Sequence, residues 1–424
     1  MRYPIWTALA LASALALAGC GGGGGGSSAP TLSTVSSVNA ASKAPAAAPA
    51  GGFKAMVVFG DSLSDDGAYT LAAVSTYRTQ VPFTGLPYPA GGQFTVNGAA
   101  TGNWTNVLAK SLGLGLSPNL IGYAGNYLNP LSPTPSTSPV YCPLGPTSSC
   151  YDFAQGGSMV SNPNGIGHST GALTIPVTQQ VQNYLTQFST FTSGQLITVL
   201  AGNNDIFTAL GTVSAQVTQA VTQAATQAAQ AGTPLTPAQI ATVQQQATSQ
   251  AVAVAQATVG AAADQLAGVV QNIIAKGGQY VLVYTLPDSS LSPFGQSLSG
   301  GTTCNNQDPT QPCYLLSNLV QVFNQRLTND LQGQPVKMLD GFALLNQEIA
   351  NPSQFGFTNT TTPWCNPATT SSLLCNVNTP FTAAGATTAN LGTWLFADSV
   401  HPTPAGYQVI ANATLQAMKG FGWN

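Results

Sequence analysis

Three short apolar runs, each followed by a polar or glycine-containing turn, constrain the fold of this chain more than any other feature. Their length and β-branched content are typical of buried strands, at 53–59, 196–200 and 280–284. Segments with helical spacing separate or follow them, at 106–114, 175–188, 315–331 and 404–418. Strands that alternate with helices predict a three-layer α/β/α sandwich around a mostly parallel central sheet.

A long segment rich in Ala, Gln, Thr and Val, residues 210–275, lies between the second and third of these runs. Gly232 and Pro234 interrupt it, and Thr236 followed by Pro237 matches an N-cap with proline at the first helical position. We therefore predict a helical hairpin inserted into the sandwich. A structural extension is the plainer interpretation, and a mobile cover over an active site is the alternative.

The N-terminus has the features of an export signal. Arg2 precedes an apolar stretch that ends in Leu-Ala-Gly-Cys20. This ending resembles a bacterial lipobox, so residues 1–19 are predicted to be a signal peptide and Cys20 to be lipidated at the outer membrane or cell surface. An ordinary secretory signal is the alternative. Residues 20–52, rich in Gly, Ser, Ala and Pro, are predicted to be a tether that precedes one folded domain at 53–424.

The six cysteines beyond Cys20 occur as three close pairs. In an exported chain an even number of cysteines favours disulfides, and the absence of Cys-x-x-Cys spacing argues against zinc. Six cysteines permit fifteen pairings, and sequence distance alone favours the nearest neighbours: Cys142 with Cys150, Cys304 with Cys313, and Cys365 with Cys375. A catalytic thiol is the competing interpretation, but no His or Asn pattern lies near these cysteines.

Charged residues are scarce. The chain has 9 Lys+Arg, 12 Asp+Glu and 2 His, and charged residues make up 5% of it, against about 25% in ordinary soluble domains. The basic residues are scattered and form no patch for phosphates, which argues against nucleic acid as a partner. With two histidines and one glutamate a His-rich metal site is excluded, so we expect no metal and no cofactor.

Two motifs at opposite ends of the chain contain the residues of a nucleophilic site. Ser62 follows the first predicted strand at the point where a helix would begin, and a helix N-terminus stabilises negative charge. Asp398 and His401 lie three positions apart, before a helix opened by Thr403 and Pro404. Serine needs a base to remove its proton, and the base needs an acceptor that fixes its tautomer. An N-cap and a structural histidine are the alternatives.

Two further motifs contain glycine and asparagine suited to binding an oxyanion. They cover residues 152–158, which include Gly156 and Gly157, and residues 202–205, which include Asn204. Glycine lets a backbone N–H approach the developing oxyanion, and an asparagine side chain adds a donor. Separately each motif is weak, since these residue types are common in turns.

Taken in this order, the four motifs resemble those of the SGNH subgroup of the GDSL esterase and lipase family. The resemblance extends from residue 53 to the last predicted helix and implies a flavodoxin-like fold. It implies that Ser62 is the nucleophile, His401 the base and Asp398 the acid that orients the base. It also implies three oxyanion donors: the Ser62 amide, Gly157 (with Gly156 as the neighbouring choice) and Asn204.

The sequence departs from the family pattern in two places. Ala68 follows Gly67 where the family often has asparagine, and the family lacks so long an Ala/Gln-rich stretch. Both departures concern the fit of the substrate. A separate Gly-x-Ser-x-Gly match around Ser169 resembles the nucleophile elbow of α/β-hydrolases, but the polar residues 161–166 before it do not form a buried strand, so we expect an irregular loop there.

The resemblance implies a serine hydrolase of the esterase or lipase type, which cleaves carboxylic esters through a Ser-His-Asp triad and an acyl-enzyme. A phospholipase or lipid acyltransferase would use the same residues, and a non-catalytic surface-binding module is a third hypothesis. The expected partners are small-molecule or lipid esters and, through Cys20, a membrane. Four aromatic residues are candidates for an acyl or aromatic pocket, although large aromatics are more often core: Trp104, Phe207, Trp364 and Trp394.

Overall fold

A computed structural model of the chain describes residues 34–70, 92–129, 131, 135–144, 149–300, 303–370 and 372–424. The strands in the described part are β1 (Ala55–Gly60), β2 (Gly122–Tyr123), β3 (Asn126–Tyr127), β4 (Gln195–Leu200), β5 (Tyr280–Tyr284) and β6 (Val336–Leu339). The α-helices there are α1 (Ser36–Ala41), α2 (Trp104–Ser111), α3 (Val177–Phe188), α4 (Asn203–Gln230), α5 (Pro237–Ala275), α6 (Pro293–Ser297), α7 (Pro312–Asp330), α8 (Gly341–Ala350) and α9 (Pro404–Phe421).

The central sheet has the order β1-β4-β5-β6, and every pair in it is parallel. Its strands are buried almost throughout, as expected for a sheet covered on both faces. Residues 151–155 run parallel to the free edge of β1, where Val58 N donates to Tyr151 O and Phe153 N donates to Val58 O, both at 2.9 Å. With this segment counted as the second strand, the order is that of flavodoxin-like sheets, 2-1-3-4-5.

The helices pack in two groups, which confirms the predicted sandwich. In one group α2 packs against α9, and in the other α5 packs against α3, α4 and α7. The main core lies between these layers and the sheet and includes Phe59, Ile197, Leu282 and Phe323. None of the described helices combines the length and the apolarity needed to cross a membrane.

The Ala/Gln-rich segment forms the predicted hairpin from α4 and α5, with 28 and 39 residues. Thr236 caps α5 in a capping box and Pro237 is its first residue. The half of α5 that contains Val259, Leu266 and Ile273 belongs to the main core. Burial in α4 ends at Val217, so the last 13 residues of that helix extend about 20 Å beyond the core.

The structure differs from the predicted tether in residues 34–52. This stretch contains α1, whose Val38 is fully buried, and lies along the outer edge of β6. Asn39 exchanges two hydrogen bonds with the backbone of Met338, and Trp423 Nε1 donates to Pro45 O at 2.7 Å. These residues therefore cover an open sheet edge, which would otherwise expose unpaired backbone groups. The predicted signal peptide and Cys20 lie outside the described residues.

The structure contains the three disulfides Cys142–Cys150, Cys304–Cys313 and Cys365–Cys375. The third is fully buried in a small core cluster with Trp364 and Trp394, behind the turn that contains His401. Cys365 N donates to Ala397 O at 2.8 Å, and Ala397 N donates to His401 O at 2.8 Å. This disulfide loop therefore supports the backbone of that turn.

The single glutamate, Glu348 on α8, is buried. Among the described residues its Oε1 atom has no hydrogen-bond partner. Burial alone raises the pKa of Glu348 to about 8, because a carboxylate loses its hydration there. The carboxyl group is therefore protonated in the folded protein at neutral pH, and the unfolded chain, with the ordinary pKa of 4.5, releases that proton.

Replacement of this residue tests that assignment. Because the folded pKa is raised, the stability that Glu348 contributes is complete below about pH 4.5 and is lost as the pH rises to about 8. Glutamine does not titrate. The free energy of unfolding of Glu348→Gln, taken relative to that of the wild type, should therefore rise by up to about 1.4 kcal/mol per pH unit between pH 5 and 8. Urea unfolding at both pH values measures this, and a pH-independent difference would contradict it.

Asp308 provides a matched control for this measurement. Its pKa is lowered because Thr310 donates hydrogen bonds to its carboxylate, and the group is fully exposed. The stability that comes from a lowered pKa is complete above the ordinary value of 3.8. The difference between Asp308→Asn and the wild type should therefore stay constant between pH 5 and 8.

Candidate active site

The turn after β1 positions Ser62. Asp61 Oδ1 accepts the Leu63 amide at 3.1 Å, and Ser64 N donates to Asp61 O at 3.0 Å. Residues 61–64 are thus a turn, and the expectation that a helix begins at Ser62 is wrong. The Asp61 side chain instead closes a local Asx turn, which offers the backbone an alternative to a helix.

A buried glutamine holds the residue before this turn. Gln180 on α3 accepts from Gly60 N at 3.0 Å and donates to Gly60 O at 2.9 Å. Gln155 N also donates to Gly60 O, at 3.2 Å. A Cβ atom on Gly60 would overlap the carbonyl oxygen of Leu200 on β4, so only glycine fits at this position.

The turn that contains Asp398 and His401 closes on the same edge of the sheet. Thr403 caps α9 by accepting Gly406 N at 3.2 Å, and Pro404 begins the helix, as the sequence predicts. Asp398 Oδ1 accepts the amides of Val400 and His401, at 2.8 and 2.7 Å. These bonds fix the carboxylate within its own turn.

Ser62, His401 and Asp398 form one hydrogen-bonded chain. His401 Nε2 lies 2.8 Å from Ser62 Oγ, and His401 Nδ1 lies 2.8 Å from Asp398 Oδ2. A carboxylate only accepts, so Nδ1 carries the proton and Nε2 is left to accept from the serine hydroxyl. Ser62 and His401 are 6% and 8% exposed. The hydrogen-bonded side chains are therefore shielded from bulk water, while Ser62 stays accessible to a ligand.

Gly157 lies in the loop after residues 151–155, at a position that only glycine can occupy. Its φ is 78°, and a Cβ atom there would overlap the Ile166 carbonyl oxygen. Among the described residues, neither Gly157 N nor Ser62 N donates to an acceptor. Buried amides without an acceptor are rare in folded proteins, and such donors in neighbouring loops are typical of a site that binds an anionic oxygen.

Asn204 reaches the same loop from the start of α4. Its Nδ2 donates to Ser158 O at 2.9 Å, and the second hydrogen of that amide has no acceptor in the part of the chain that the structure describes. Its neighbours hold the surrounding backbone. Asn203 Nδ2 donates to Asp61 Oδ2 at 3.0 Å, and Asp205 Oδ2 accepts Val160 N at 3.0 Å. The loops after β1, after residues 151–155 and after β4 therefore meet at Ser62.

Three more buried carboxyl groups lie behind these loops, and sequence motifs did not single them out for a role. Asp65 accepts the amides of Gly67, Ala68 and Gly156 at 2.7 to 2.8 Å. Burial raises the pKa of Asp65 to about 7. Burial, together with the neighbouring carboxyl groups, raises the pKa of Asp66 to about 8 and that of Asp152 well above its ordinary value.

Of the four aromatic candidates, three are core residues and one lies near Asn204. Trp104, Trp364 and Trp394 are buried core residues. Phe207 is half-buried on α4, one turn after Asn204, with its ring centroid 5.3 Å from that of Phe294. Sequence analysis missed Phe294, whose N donates to Ser399 O, and also Phe94, whose ring lies 5.1 Å from the His401 imidazole.

The Gly-x-Ser-x-Gly match is not part of this arrangement. His168–Thr170 form an exposed 3-10 turn between two left-handed glycines, with no strand before it. His168 Nδ1 lies 3.0 Å from Thr174 Oγ1. Ser169 therefore lacks the strand and helix that an elbow requires.

Comparison with known proteins gives one family. The sequence model of the family described as GDSL-like Lipase/Acylhydrolase matches residues 56–414. A GDSL esterase/lipase of Arabidopsis thaliana is 31% identical over 153 residues, 34% of this chain and 41% of that protein. Another Arabidopsis thaliana protein, the GDSL esterase/lipase APG, is 29% identical over 163 residues, 36% of this chain and 42% of its own length.

A bacterial relative is similar over more of the chain. An uncharacterised protein from the trpE–trpG intergenic region of Pseudomonas putida is 29% identical over 374 residues, 85% of this chain and 48% of that protein. The chain thus spans less than half the length of the curated relatives it matches. Because the family match extends from β1 into α9 and includes all four motifs, this chain belongs to the GDSL-like lipase/acylhydrolase family.

Proposed function

We propose that this protein is a serine ester hydrolase that cleaves carboxylic esters through an acyl-enzyme on Ser62. The observation that supports this best is the chain of two 2.8 Å contacts from Ser62 through His401 to Asp398. The names of the Arabidopsis relatives, esterase/lipase, agree with it. The role assigned to each residue follows from its position.

In the acylation step His401 Nε2 takes the Ser62 hydroxyl proton while Oγ attacks the ester carbonyl carbon. Asp398 stabilises the imidazolium that forms, and its fixed turn keeps the ring in the reactive tautomer. The tetrahedral intermediate then breaks its bond to the alcohol oxygen, which receives the proton from His401. Water repeats these steps on the acyl-enzyme and releases the acid together with free Ser62.

The carbonyl oxygen becomes negative during both attacks. The donors assigned to it are the amides of Ser62 and Gly157, which have no acceptor within the described part of the chain, and the remaining Asn204 hydrogen. Donors held in place before the reaction need no reorganisation as charge develops, and removal of one typically costs about 10²–10³-fold in kcat.

Substitution of the nucleophile tests the proposal. Ser62→Ala should reduce hydrolysis of a short p-nitrophenyl ester to background and abolish labelling by a fluorophosphonate, because both reactions need Oγ. Ser169→Ala, which changes the exposed serine of the other motif, should keep full activity and labelling. Full activity of Ser62→Ala would refute the assignment.

We propose further that the substrate carries an apolar acyl group. The half-buried ring of Phe94 packs against His401, and it fills the space that a Cβ atom on Gly156 would occupy. On the Asn204 side, Phe207 and Phe294 form a second half-buried aromatic pair. Aromatic surface left partly exposed beside a nucleophile favours ligands that bury apolar area against it.

The acyl preference of Phe94→Ala tests this idea. The variant should lose about tenfold in kcat/KM for p-nitrophenyl octanoate relative to the acetate, because only the longer chain loses contact with the ring. The ratio between the two esters is the readout, since any displacement of His401 affects both equally. Equal losses on both esters would contradict a substrate contact.

Phe421→Ala serves as the matched control. Phe421 is also half-buried, but it lies at the far end of α9 against Trp423, about 25 Å along the helix from Pro404. The octanoate-to-acetate ratio should not change in this variant.

We also propose that the protein is exported and lipid-anchored at Cys20, a proposal supported by the Leu-Ala-Gly-Cys ending of its apolar N-terminal stretch. In a Gram-negative host the full chain should incorporate labelled palmitate and fractionate with membranes. Cys20→Ser should lose both properties, whereas Ser28→Ala should lose neither. Membrane fractionation of Cys20→Ser would rule out this anchor.

A further inference from the structure

The peptide that joins Gly156 to Gly157 carries the Gly157 N–H, one of the proposed oxyanion donors. A trans peptide is planar, and its C=O and N–H point in opposite directions. Whatever fixes the Gly156 carbonyl therefore aims the Gly157 amide. This peptide is flanked by two glycines, so side-chain sterics at its own ends do little to prevent rotation of its plane.

Both glycines are required by their surroundings. A Cβ atom on Gly156 would overlap the Phe94 ring, and one on Gly157 would overlap the Ile166 carbonyl oxygen. The chain therefore has no room for the residues that would stiffen this peptide. An external anchor is the remaining way to fix its orientation.

Tyr69 is in the position of that anchor. Its hydroxyl donates to Gly156 O at 2.8 Å, and it accepts Thr174 N at 3.2 Å. Because Thr174 supplies a hydrogen of its own, the hydroxyl hydrogen of Tyr69 is left for Gly156. The ring is fully buried between Phe94 and Tyr123, which it meets edge to face.

The hydroxyl keeps its proton at any working pH. Burial, together with the nearby Asp65 carboxylate, raises the pKa of Tyr69 far above its ordinary value. Asp65 contributes separately to the loop, since its Oδ2 accepts Gly156 N at 2.8 Å. That amide belongs to the preceding peptide, so the contact with Asp65 does not fix the plane that carries Gly157 N.

We propose that Tyr69 is a positioning residue for catalysis, whose hydroxyl holds the Gly156–Gly157 peptide so that the Gly157 amide points at the developing oxyanion. The proposal rests on the proposed function and adds a residue outside the four family motifs. Tyr69 does not touch the reacting atoms. It acts through one peptide plane, and its effect is therefore on kcat.

Tyr69→Phe removes the hydroxyl and keeps the buried ring. We expect kcat for a p-nitrophenyl ester to fall about tenfold, because the hydrogen bond from Gly157 N to the oxyanion is weakened, while KM stays within about twofold. The Ki of a trifluoromethyl ketone, which adds to the serine and places an oxyanion in the same site, should rise by a similar factor. An unchanged kcat, or a fall in kcat without a change in Ki, would overturn the proposal.

Tyr284→Phe is the matched control. Tyr284 is also buried, with 4% exposure against 0% for Tyr69, and its hydroxyl lies 2.9 Å from Thr414 Oγ1 on α9. Tyr69→Phe loses the hydrogen bonds to Gly156 and Thr174, and Tyr284→Phe loses the one to Thr414, so both variants should lower Tm. Only Tyr69→Phe should lose kcat, and an equal loss in both variants would mean that general destabilisation is the cause.

Failure of this proposal is distinguishable from failure of the proposed function. If Ser62→Ala is inactive and Tyr69→Phe behaves as wild type, Ser62 keeps its role and Tyr69 loses its own. If Ser62→Ala remains active, the assignment of the site is wrong whatever Tyr69 does.

Discussion

The backbone of Gly60 is the point on which the site depends. Its carbonyl accepts both Gln155 N and the Gln180 side chain, and its N–H donates to Gln180. One residue thus joins β1 to the adjacent extended segment and to α3, while its missing side chain lets β4 approach. Because parallel strands end on one edge, this junction brings three loops of distant sequence together around Ser62.

The few acidic residues of this chain lie mostly in the interior of the protein. Seven of the eleven aspartates are buried: Asp61, Asp65, Asp66, Asp152, Asp205, Asp288 and Asp398. Five of them accept backbone or asparagine N–H groups of the loops around Ser62: Asp61, Asp65, Asp152, Asp205 and Asp398. Burial of a carboxyl is unfavourable unless such donors satisfy it. The buried carboxyl groups lie where irregular loops must keep one conformation. Few acidic residues therefore remain for the surface.

Sequence patterns predict the parts of the fold that have a strong local signal. β1, β4 and β5 are found because a strand buried on both faces is a continuous apolar run. β6 is missed because it has only four residues, one of them Lys337. Residues 151–155 are missed because Asp152 and Gln155 interrupt the apolar pattern, although their backbone pairs with β1.

For the candidate site too, sequence patterns predict the residues in local motifs and miss those that act through distant contacts. Ser62, Asp398 and His401 could be predicted because the chain offers few alternatives and short motifs contain them. The contacts of Tyr69 and Asp65 with Gly156 join residues 87 and 91 positions apart. No local pattern marks such pairs, so they emerge only when the loops are placed in three dimensions.

The pair that carries the proposed chemistry is more distant still, since Ser62 and His401 lie 339 positions apart. The His401 turn is held by non-local contacts. Cys365 N donates to Ala397 O, and Thr95 Oγ1 donates to Pro402 O at 2.9 Å. The buried Cys365–Cys375 bridge closes the loop behind that turn. The bridge restricts the loop that it closes, which joins residues ten positions apart. The bond from Cys365 N to Ala397 O connects that loop to the His401 turn, so the loop supports the alignment of base and nucleophile.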